Sequence, residues 1–487
     1  MHDCFRFFYS THEGLGYILR RVKMRVRCDE KPHTRKDRLG DKRVTVAVRQ
    51  FEASGRANAF MELVVSQSHV SGRVDAPPSK SYTHRGVLAG ALAEDTRVLN
   101  PLRSADTEAS MRCARGLGAS VKDEDGDIII EGVAGAPQTP DDVLDCGNSG
   151  TTTRLFAGAA SLVEGLAVLT GDESLRSRPN EPLLSSLREL GATGRSTRGN
   201  GRAPLVVGDS LEGGETTIDG GVSSQFISSL LFAAPLTDKG ATVNIEGTLK
   251  SRPYVDITLE VLEKMGVAVE ETDEGFDVSG GQSYDAEEFR VPGDFSSASY
   301  PLAAGAVAGE TSVGNLYPSA QGDSLILEVL ERMGASVEWN RDEGIARVSG
   351  TADELEGVEF SAANNPDLTP TVAALGAVAN GETRIVDAEH VRYKETDRLE
   401  AMATELGKMG ASIDEERDSL VIDGDVSELV GARVDGRHDH RVVMALGVAA
   451  LVAEGNTTIE TAESVGVSYP GFAGDLRELG VDVEKQE

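Results

Sequence analysis

Six glycines recur in the same local setting along this chain. Each follows a helix-like run and precedes a strand-like one, in "GLGASV" at 116, "ELGATG" at 189, "KMGVAV" at 264, "RMGASV" at 332, "KMGASI" at 408 and "ELGVDV" at 478. Gly118, Gly191, Gly266, Gly334, Gly410 and Gly480 are separated by 73, 75, 68, 76 and 70 residues. Repetition at a near-constant period means that one supersecondary unit has been copied, and any fold must stack six of them. The position fits the residue after a helix end, where the backbone turns left-handed and glycine has no Cβ to clash.

A second element keeps phase with the first. Apolar, Ala-rich runs close in a small turn and lead into a strand, as in "GVLAGALAEDTRVLN", "RLFAGAASLVEGLAVLT" and "MALGVAALVAEGNTTIE". These helices are apolar on nearly every side, so they belong inside. The helices that end at the glycines are amphipathic, as in "VDITLEVLEKM", with one face left for water. Each unit therefore reads helix, strand, helix, strand, strand, an α/β class.

The sixth unit stops at "ELGVDVEKQE" without a return strand, while a strand at 61–70, "MELVVSQSHV", has no partner of its own. Joining the two predicts a discontinuous domain, 61–78 with 294–487, and an inserted domain, 79–293. Each holds three repeated α/β units with buried helices. The chain crosses between them near "APPSK" and "RVPGDF", and a hinge is expected there.

Charge narrows the partners. The chain has 48 Lys/Arg and 80 Asp/Glu; residues 1–60 hold 14 and 7 of these, leaving 34 and 73 to the remainder. Of those 34 cations only eight are lysine. A surface this acidic repels itself in dilute buffer, and salt near 1 M shortens the screening length to about 3 Å. The composition predicts a halophilic cytoplasmic protein that binds neither nucleic acid nor an anionic membrane. Four cysteines without paired spacing suggest neither a disulfide framework nor a zinc site. Residues 1–60 are basic and lack an apolar signal core; they read as a disordered extension or as translation from a start upstream of Met61.

Polar loops precede the apolar helices: "PPSKSYTHR", "CGNSGTTTR", "GGVSSQF", "PGDFSSAS", "AANNPDLTP" and "GRHDHR". Their Ser, Asn and Asp residues suit helix caps. Capping does not explain the cations beside them: Lys80, Arg85, Arg154, Arg178, Arg252, Lys394, Arg398 and Arg441. A cation at a helix N-terminus opposes the macrodipole unless an anion lies between them. A small ligand carrying phosphate and carboxylate groups is expected in a cleft between the domains. No Walker loop, dinucleotide fingerprint or HExxH occurs, and "HDH" at 438–440 is a weak metal signal. Neither metal nor cofactor is expected, and a structural role is read for His440.

The ordered motifs "SKSYTHR", "GNSGTTTR", "LTGDESLRSRP", "SSQF", "SRPYVDIT", "PDLTP", "KETDRL" and "DHR" resemble the 5-enolpyruvylshikimate-3-phosphate synthase family across 61–487. The resemblance implies the enolpyruvyl transferase-like fold of two three-unit domains. It also implies a monomeric enzyme of the shikimate pathway. Such an enzyme joins phosphoenolpyruvate to the 5-hydroxyl of shikimate-3-phosphate and releases phosphate through a tetrahedral intermediate.

By resemblance, Ser223, Ser224 and Ser251 hold the substrate phosphate. Lys80, Ser81, Arg85, Gln225, Tyr254, Asp367, His390 and Lys394 surround the rest of shikimate-3-phosphate. Lys80, Asn148, Gly150, Arg154, Arg178, Gln225, Arg398 and Arg441 take phosphoenolpyruvate. Asp367 is the candidate base, Glu395 the proton donor to carbon, and Lys394 and Lys80 assist at the 5-oxygen and the leaving phosphate. Asp397 is read as an ordinary cap. Two departures stand out: Val467 occurs where the family usually has lysine, and His390 where it often has asparagine. The alternatives are the related transferase acting on UDP-N-acetylglucosamine, which typically uses a loop cysteine, and a non-catalytic anion binder on the same scaffold.

Overall fold

The structure, a computed structural model, describes residues 61–221 and 223–486. The basic segment read at 1–60 lies outside the described residues. No described helix is long and apolar enough to cross a membrane.

Among the described residues, six four-stranded sheets follow one plan. In one of them, Leu144–Asp145 runs parallel to Leu166–Thr170, which pairs antiparallel with Leu205–Gly208, which pairs antiparallel with Thr193–Ser196. The unit thus has six elements, one more than the sequence suggested. The extra member is the leading strand, which at Leu144–Asp145 is only two residues long and cannot show a period of two, though it reaches six residues at Gly214–Asp219.

The strand read at 61–70 is in fact two. Glu62–Ser66 inserts antiparallel between Asn456–Glu460 and Val483–Gln486, so the chain's first described strand completes its last unit. Val70–Asp75 joins a different sheet, parallel to Gly309–Gly314. Ser68 makes the break, its hydroxyl donating back to the Ser66 carbonyl at 2.8 Å and its N–H to the Leu451 carbonyl at 3.0 Å.

The first helix of each unit is almost wholly buried: Lys80–Leu92, Gly150–Ala160, Ser224–Ala233, Phe295–Ala308, Thr369–Gly376 and His440–Ala450. The second helices bury one face; Arg252–Lys264 hides Val255, Thr258, Val261 and Leu262 at helical spacing. Two separate apolar cores result. One gathers residues between Leu63 and Ala76 with others from Phe295 to Val483; the second gathers residues from Tyr82 to Val291.

All six landmark glycines have positive φ, between 82° and 104°, as their helix-end position required. Gly158 serves a different need. Its helix lies so close to Ser224–Ala233 that a methyl at 158 runs into the Ser229 carbonyl, while the Gly158 N–H donates to Ser229 Oγ at 3.0 Å. Gly158→Ala is expected to cost about 1–3 kcal/mol by overpacking, read as a lower denaturant midpoint. An unchanged midpoint would mean that the two helices separate freely.

Two chain crossings connect the cores and lie side by side. Ser79 N donates to the Pro292 carbonyl and Asp294 N to the Pro77 carbonyl, both at 2.8 Å. Asp294 then caps two helices at once. Its Oδ1 accepts from Ser297 N at 2.7 Å, and its Oδ2 from Lys80 N at 3.2 Å. One carboxylate therefore satisfies orphan N–H groups on helices that belong to different cores.

Candidate active site

Beside these crossings lies a cavity holding about 270 Å³ of water-accessible space. Helix beginnings build it. Lys80 and Ser81 open one inner helix, Gly150, Thr151 and Arg154 a second, and Ser224 and Gln225 a third, with His440 and Arg441 opening a fourth across the gap. The capping reading holds as far as it went: Ser149, Ser223, Asp397 and Asp439 each accept a backbone N–H within their own helix start. Asp397 does only this among the roles weighed for it, apart from a 2.8 Å ion pair with Arg392.

Arg398 is the hub of one wall. It is 1% exposed, and its guanidinium reaches Asp439 Oδ2 and Glu395 Oε2 at 2.9 Å and Asp367 Oδ1 at 2.8 Å. Asp367 also accepts from Arg441 at 2.9 Å and from the Tyr254 hydroxyl at 2.7 Å, with the Lys394 ammonium 3.6 Å away. Burial by itself raises the Asp367 carboxyl; Arg441, Lys394 and Arg398 outweigh it and hold the group well below the usual carboxylate range. Glu395 is held low in the same way, burial being overcome by Arg398, Arg178 and His440. Lys394 moves down because burial exceeds the pull of Asp367.

The opposite wall is cationic and less compensated. Arg154 donates to Gln225 Oε1 at 2.8 Å and lies over the Phe226 ring, and Gln225 Nε2 donates to Thr151 Oγ1 at 2.8 Å. Burial, then Arg178, push the Arg154 guanidinium down to about 10. Arg178 is oriented by Asn148 Oδ1 at 2.7 Å, and its Nε is buried without a partner. Lys80 meets Asp106 at 3.4 Å. Seven Lys and Arg side chains line the cavity against five Asp and Glu, so anions complete its charge.

Ser251 is set by strain. Its φ is +56°, and its N–H donates at 2.8 Å to the Ala363 carbonyl, in the segment leading to Asp367. Ser223, Ser224 and Ser251 line the cavity, as do Lys250 and His390.

Three residues singled out in the sequence lie outside the cavity lining. Arg85 is buried behind the wall, its donors taken by Thr258 Oγ1, Ser228 Oγ and the Ser81 and Tyr254 carbonyls. It braces the helix beginnings and does not line the cavity. Asn148 is likewise outside the lining and acts through Arg178 and Asp172, to whose carboxylate it donates at 2.6 Å. Arg252 turns outward to Asp256 and Glu271, and its guanidinium lies over the Phe276 ring. The other candidates, Lys80, Ser81, Gly150, Arg154, Arg178, Ser223, Ser224, Gln225, Ser251, Tyr254, Asp367, His390, Lys394, Glu395, Arg398 and Arg441, share the cavity.

Asp106, Thr151, Glu389, Tyr393 and His440 also line it and were not among the candidates. Thr151 lies within a quoted motif, but Asp106 sits inside an amphipathic helix with no local signal. His440 is 1% exposed, its Nδ1 lies 3.8 Å from Asp439 Oδ1, and neither ring nitrogen makes a hydrogen bond. Val467 is not in the lining. Cys113 and Cys146 are buried side by side, Sγ to Sγ 3.9 Å, and neither faces the cavity. Among the described residues no three His, Cys, Asp or Glu side chains cluster so as to hold a metal ion.

The fold and cleft define a binder of small oxyanions held between two cores of repeated α/β units. Known proteins share the fold. The family model described as EPSP synthase (3-phosphoshikimate 1-carboxyvinyltransferase) matches residues 64–476. The 3-phosphoshikimate 1-carboxyvinyltransferase of Methanosarcina acetivorans is 54% identical over 431 residues, which is 87% of this chain and 99% of the relative. That of Halobacterium salinarum is 54% identical over 433 residues, 88% of this chain and 98% of the relative. The solved EPSP synthase of Acinetobacter baumannii superposes with a TM-score of 0.76 at 27% identity, covering 88% of this chain and all of its own. The enolpyruvyl transferase NikO of Streptomyces tendae, at 21% identity and a TM-score of 0.69, shares the fold. The chain belongs to the EPSP synthase family.

Proposed function

We propose that this protein transfers the enolpyruvyl group of phosphoenolpyruvate to the 5-hydroxyl of shikimate-3-phosphate and releases phosphate. The observation that carries the reading is the joining of Asp367 and Glu395 through the one buried guanidinium of Arg398. Two carboxylates meet the two proton transfers of the addition half, one from the 5-hydroxyl and one to carbon, and the surplus cations meet two anionic substrates.

In this reading the paired serines and Ser251 seat the acceptor phosphate. Lys80, Arg178, Arg398 and Arg441 hold the donor. Bidentate guanidinium contacts keep their value where salt screens longer-range attraction. Asp367 is a weak base while Arg441, Lys394 and Arg398 surround it. Donor oxyanions compete for Arg398 and Arg441, and losing part of their pull returns basicity to Asp367 when substrate is in place. Asp367 then accepts the 5-hydroxyl proton while Lys394 steadies the forming oxygen anion. Glu395 is ionised in the empty site; as donor oxyanions draw off the pull of Arg398 and Arg178 it takes up a solvent proton, gives it to the methylene carbon and later removes a proton from the same carbon. Lys80 donates toward the bridging oxygen as phosphate leaves. Each such transfer contributes about 10²–10⁴-fold.

Gly150 bears on donor affinity. A Cβ there sits 2.9 Å from Arg178 Nη1. Gly150→Ala is expected to displace Arg178 and raise KM for phosphoenolpyruvate about tenfold, the loss of about 1.4 kcal/mol of binding, with little change in KM for the acceptor. Equal rises in both constants would remove Arg178 from the donor site.

The domains divide, in this reading, into 61–78 with 294–487 and 79–293, turning about the crossings bracketed by Asp294. The acidic composition supports a monomer working in a salt-rich cytoplasm. The deciding experiment is phosphate release from phosphoenolpyruvate by the full chain in molar KCl. Shikimate-3-phosphate and UDP-N-acetylglucosamine are offered as acceptors in parallel. Turnover with the sugar nucleotide alone would reverse the assignment, and turnover with neither would leave an anion binder.

A further inference from the structure

We infer that Glu405, which lies outside the cavity lining, is a positioning residue for phosphoenolpyruvate, a role that rests on the donor assignment of Arg398 and Arg441 above. Glu405 holds residues 435–439 in a strained conformation that sets Asp439 and Arg441 in register with Arg398.

Residues 435–439 join the strand Arg433–Asp435 to the helix His440–Ala450, which carries Arg441 in its first turn. Arg437 and His438 have φ of +54° and +55°, and Thr461 beside them has +57°. Left-handed backbone crowds Cβ against the following carbonyl. Two such residues in succession, neither of them glycine, persist only where surrounding contacts over-determine them. Asp435 Oδ1 accepts from Arg437 N at 2.8 Å and from the Thr461 hydroxyl at 3.1 Å. His438 N donates to Thr461 Oγ1 at 3.2 Å.

Glu405 supplies the remaining hold. It is 0% exposed, a rare place for a carboxylate. Its Oε1 accepts from Arg437 Nε at 2.9 Å and Nη2 at 2.8 Å. Its Oε2 accepts from Asp435 N at 2.9 Å and from the Lys408 ammonium at 2.6 Å. Arg398 opens the same helix, Arg398–Lys408, seven residues earlier. That is two turns, about 10 Å along the axis and on the same face. Arg398 takes Asp439 Oδ2 at 2.9 Å, and Asp439 Oδ1 in turn accepts from Arg441 N at 2.9 Å. One helix therefore grips the segment at both ends with opposite charge order, guanidinium to carboxylate at Asp439 and carboxylate to guanidinium at Arg437. Buried ion pairs are weak as stabilisers and best attested as devices that fix one arrangement. The arrangement fixed here is the left-handed path between the two grips, and with it the start of the helix bearing Arg441.

The test is steady-state phosphate release by the full chain in molar KCl, with KM taken separately for phosphoenolpyruvate and shikimate-3-phosphate. Glu405→Gln keeps the shape of the side chain and removes its charge. KM for phosphoenolpyruvate is expected to rise about tenfold, with KM for shikimate-3-phosphate within about threefold of wild type. Adding His438→Gly should recover most of the rise, because glycine takes left-handed backbone without being held there. A carboxylate serving stability alone would lower the denaturant midpoint, leave both KM values in place and show no rescue; that result, or equal rises in both constants, overturns the inference. The His438 side chain is 72% exposed and outside the cavity lining, so changes there decide the matter however Glu405→Gln folds. His438→Val strains the same backbone and should raise KM for phosphoenolpyruvate, while His438→Asn, tolerated at positive φ, should match wild type. Equal donor KM in the Val and Asn variants overturns the inference and leaves the donor assignment standing. Absence of phosphate release by the wild type sinks both.

Discussion

Asp367→Asn is expected to lower kcat by about 10²–10⁴-fold while KM for phosphoenolpyruvate stays level or falls. The carboxylate is the shared partner of Arg398, Arg441, Lys394 and the Tyr254 hydroxyl. Neutralising it removes the base and frees two guanidiniums for the donor. A purely structural Asp367 would show the opposite split, with KM rising and kcat preserved. Steady-state phosphate release separates the two, and a kcat within tenfold of wild type would remove Asp367 from the proton path.

The same substitution alters the acid response. The folded carboxyl is depressed, so its contribution to stability is complete above the unfolded value near 4 and disappears as pH falls toward the folded value. Wild type should therefore lose stability between about pH 5 and the acid limit more steeply than Asp367→Asn. Parallel curves would mean that the cations do not hold Asp367 ionised.

Arg398→Met should be the most destabilising single change at the site, by about 3–5 kcal/mol. Methionine keeps an unbranched stem in place of the arginine's, but it abandons Asp439, which is fully buried, together with Glu395 and Asp367. Removing one partner of a buried network leaves its charges desolvated and unpaired. The expected readout is a fall in denaturant midpoint with the slope unchanged, measured in molar KCl to keep surface repulsion constant. Asp439→Asn should recover part of the loss when combined with Arg398→Met, because the two residues share one interaction. A loss under about 1 kcal/mol would show that water enters the wall and that the cluster is not dry.

Much of the architecture is visible in the chain because the repeat is a strong signal. Helix-end glycines have a steric requirement, and fully apolar helices have nowhere to go but inside. Four of the six leading strands escaped notice since they are two or three residues long, as at Leu144–Asp145 and Glu288–Arg290, and carry no periodicity; Gly214–Asp219 has six residues with alternating burial and was missed all the same. The strands at 62–66 and 70–75 were not told apart because only three residues separate them, and the break lies in where Ser68 sends its hydrogen bonds.

At the site, the polar loops and their cations announced an anion cleft, but which cation faces it is not a property of local sequence. Arg85 and Arg252 share the setting of Arg154 and Arg398, at or just inside a helix start. Arg85 spends its donors on Thr258 and neighbouring carbonyls, and Arg252 finds Asp256 and Glu271 outside. Asp106 and His440 enter the cavity by the rotation of their helices, which only packing fixes. What the sequence determined by itself was the repeated unit, the burial of its first helix and the class of ligand, since steric need at glycine, apolar periodicity and uncompensated charge are local. The tertiary structure alone decided which donors remain free and how far each carboxylate is held ionised, because both depend on groups brought together from distant repeats in a low-dielectric space.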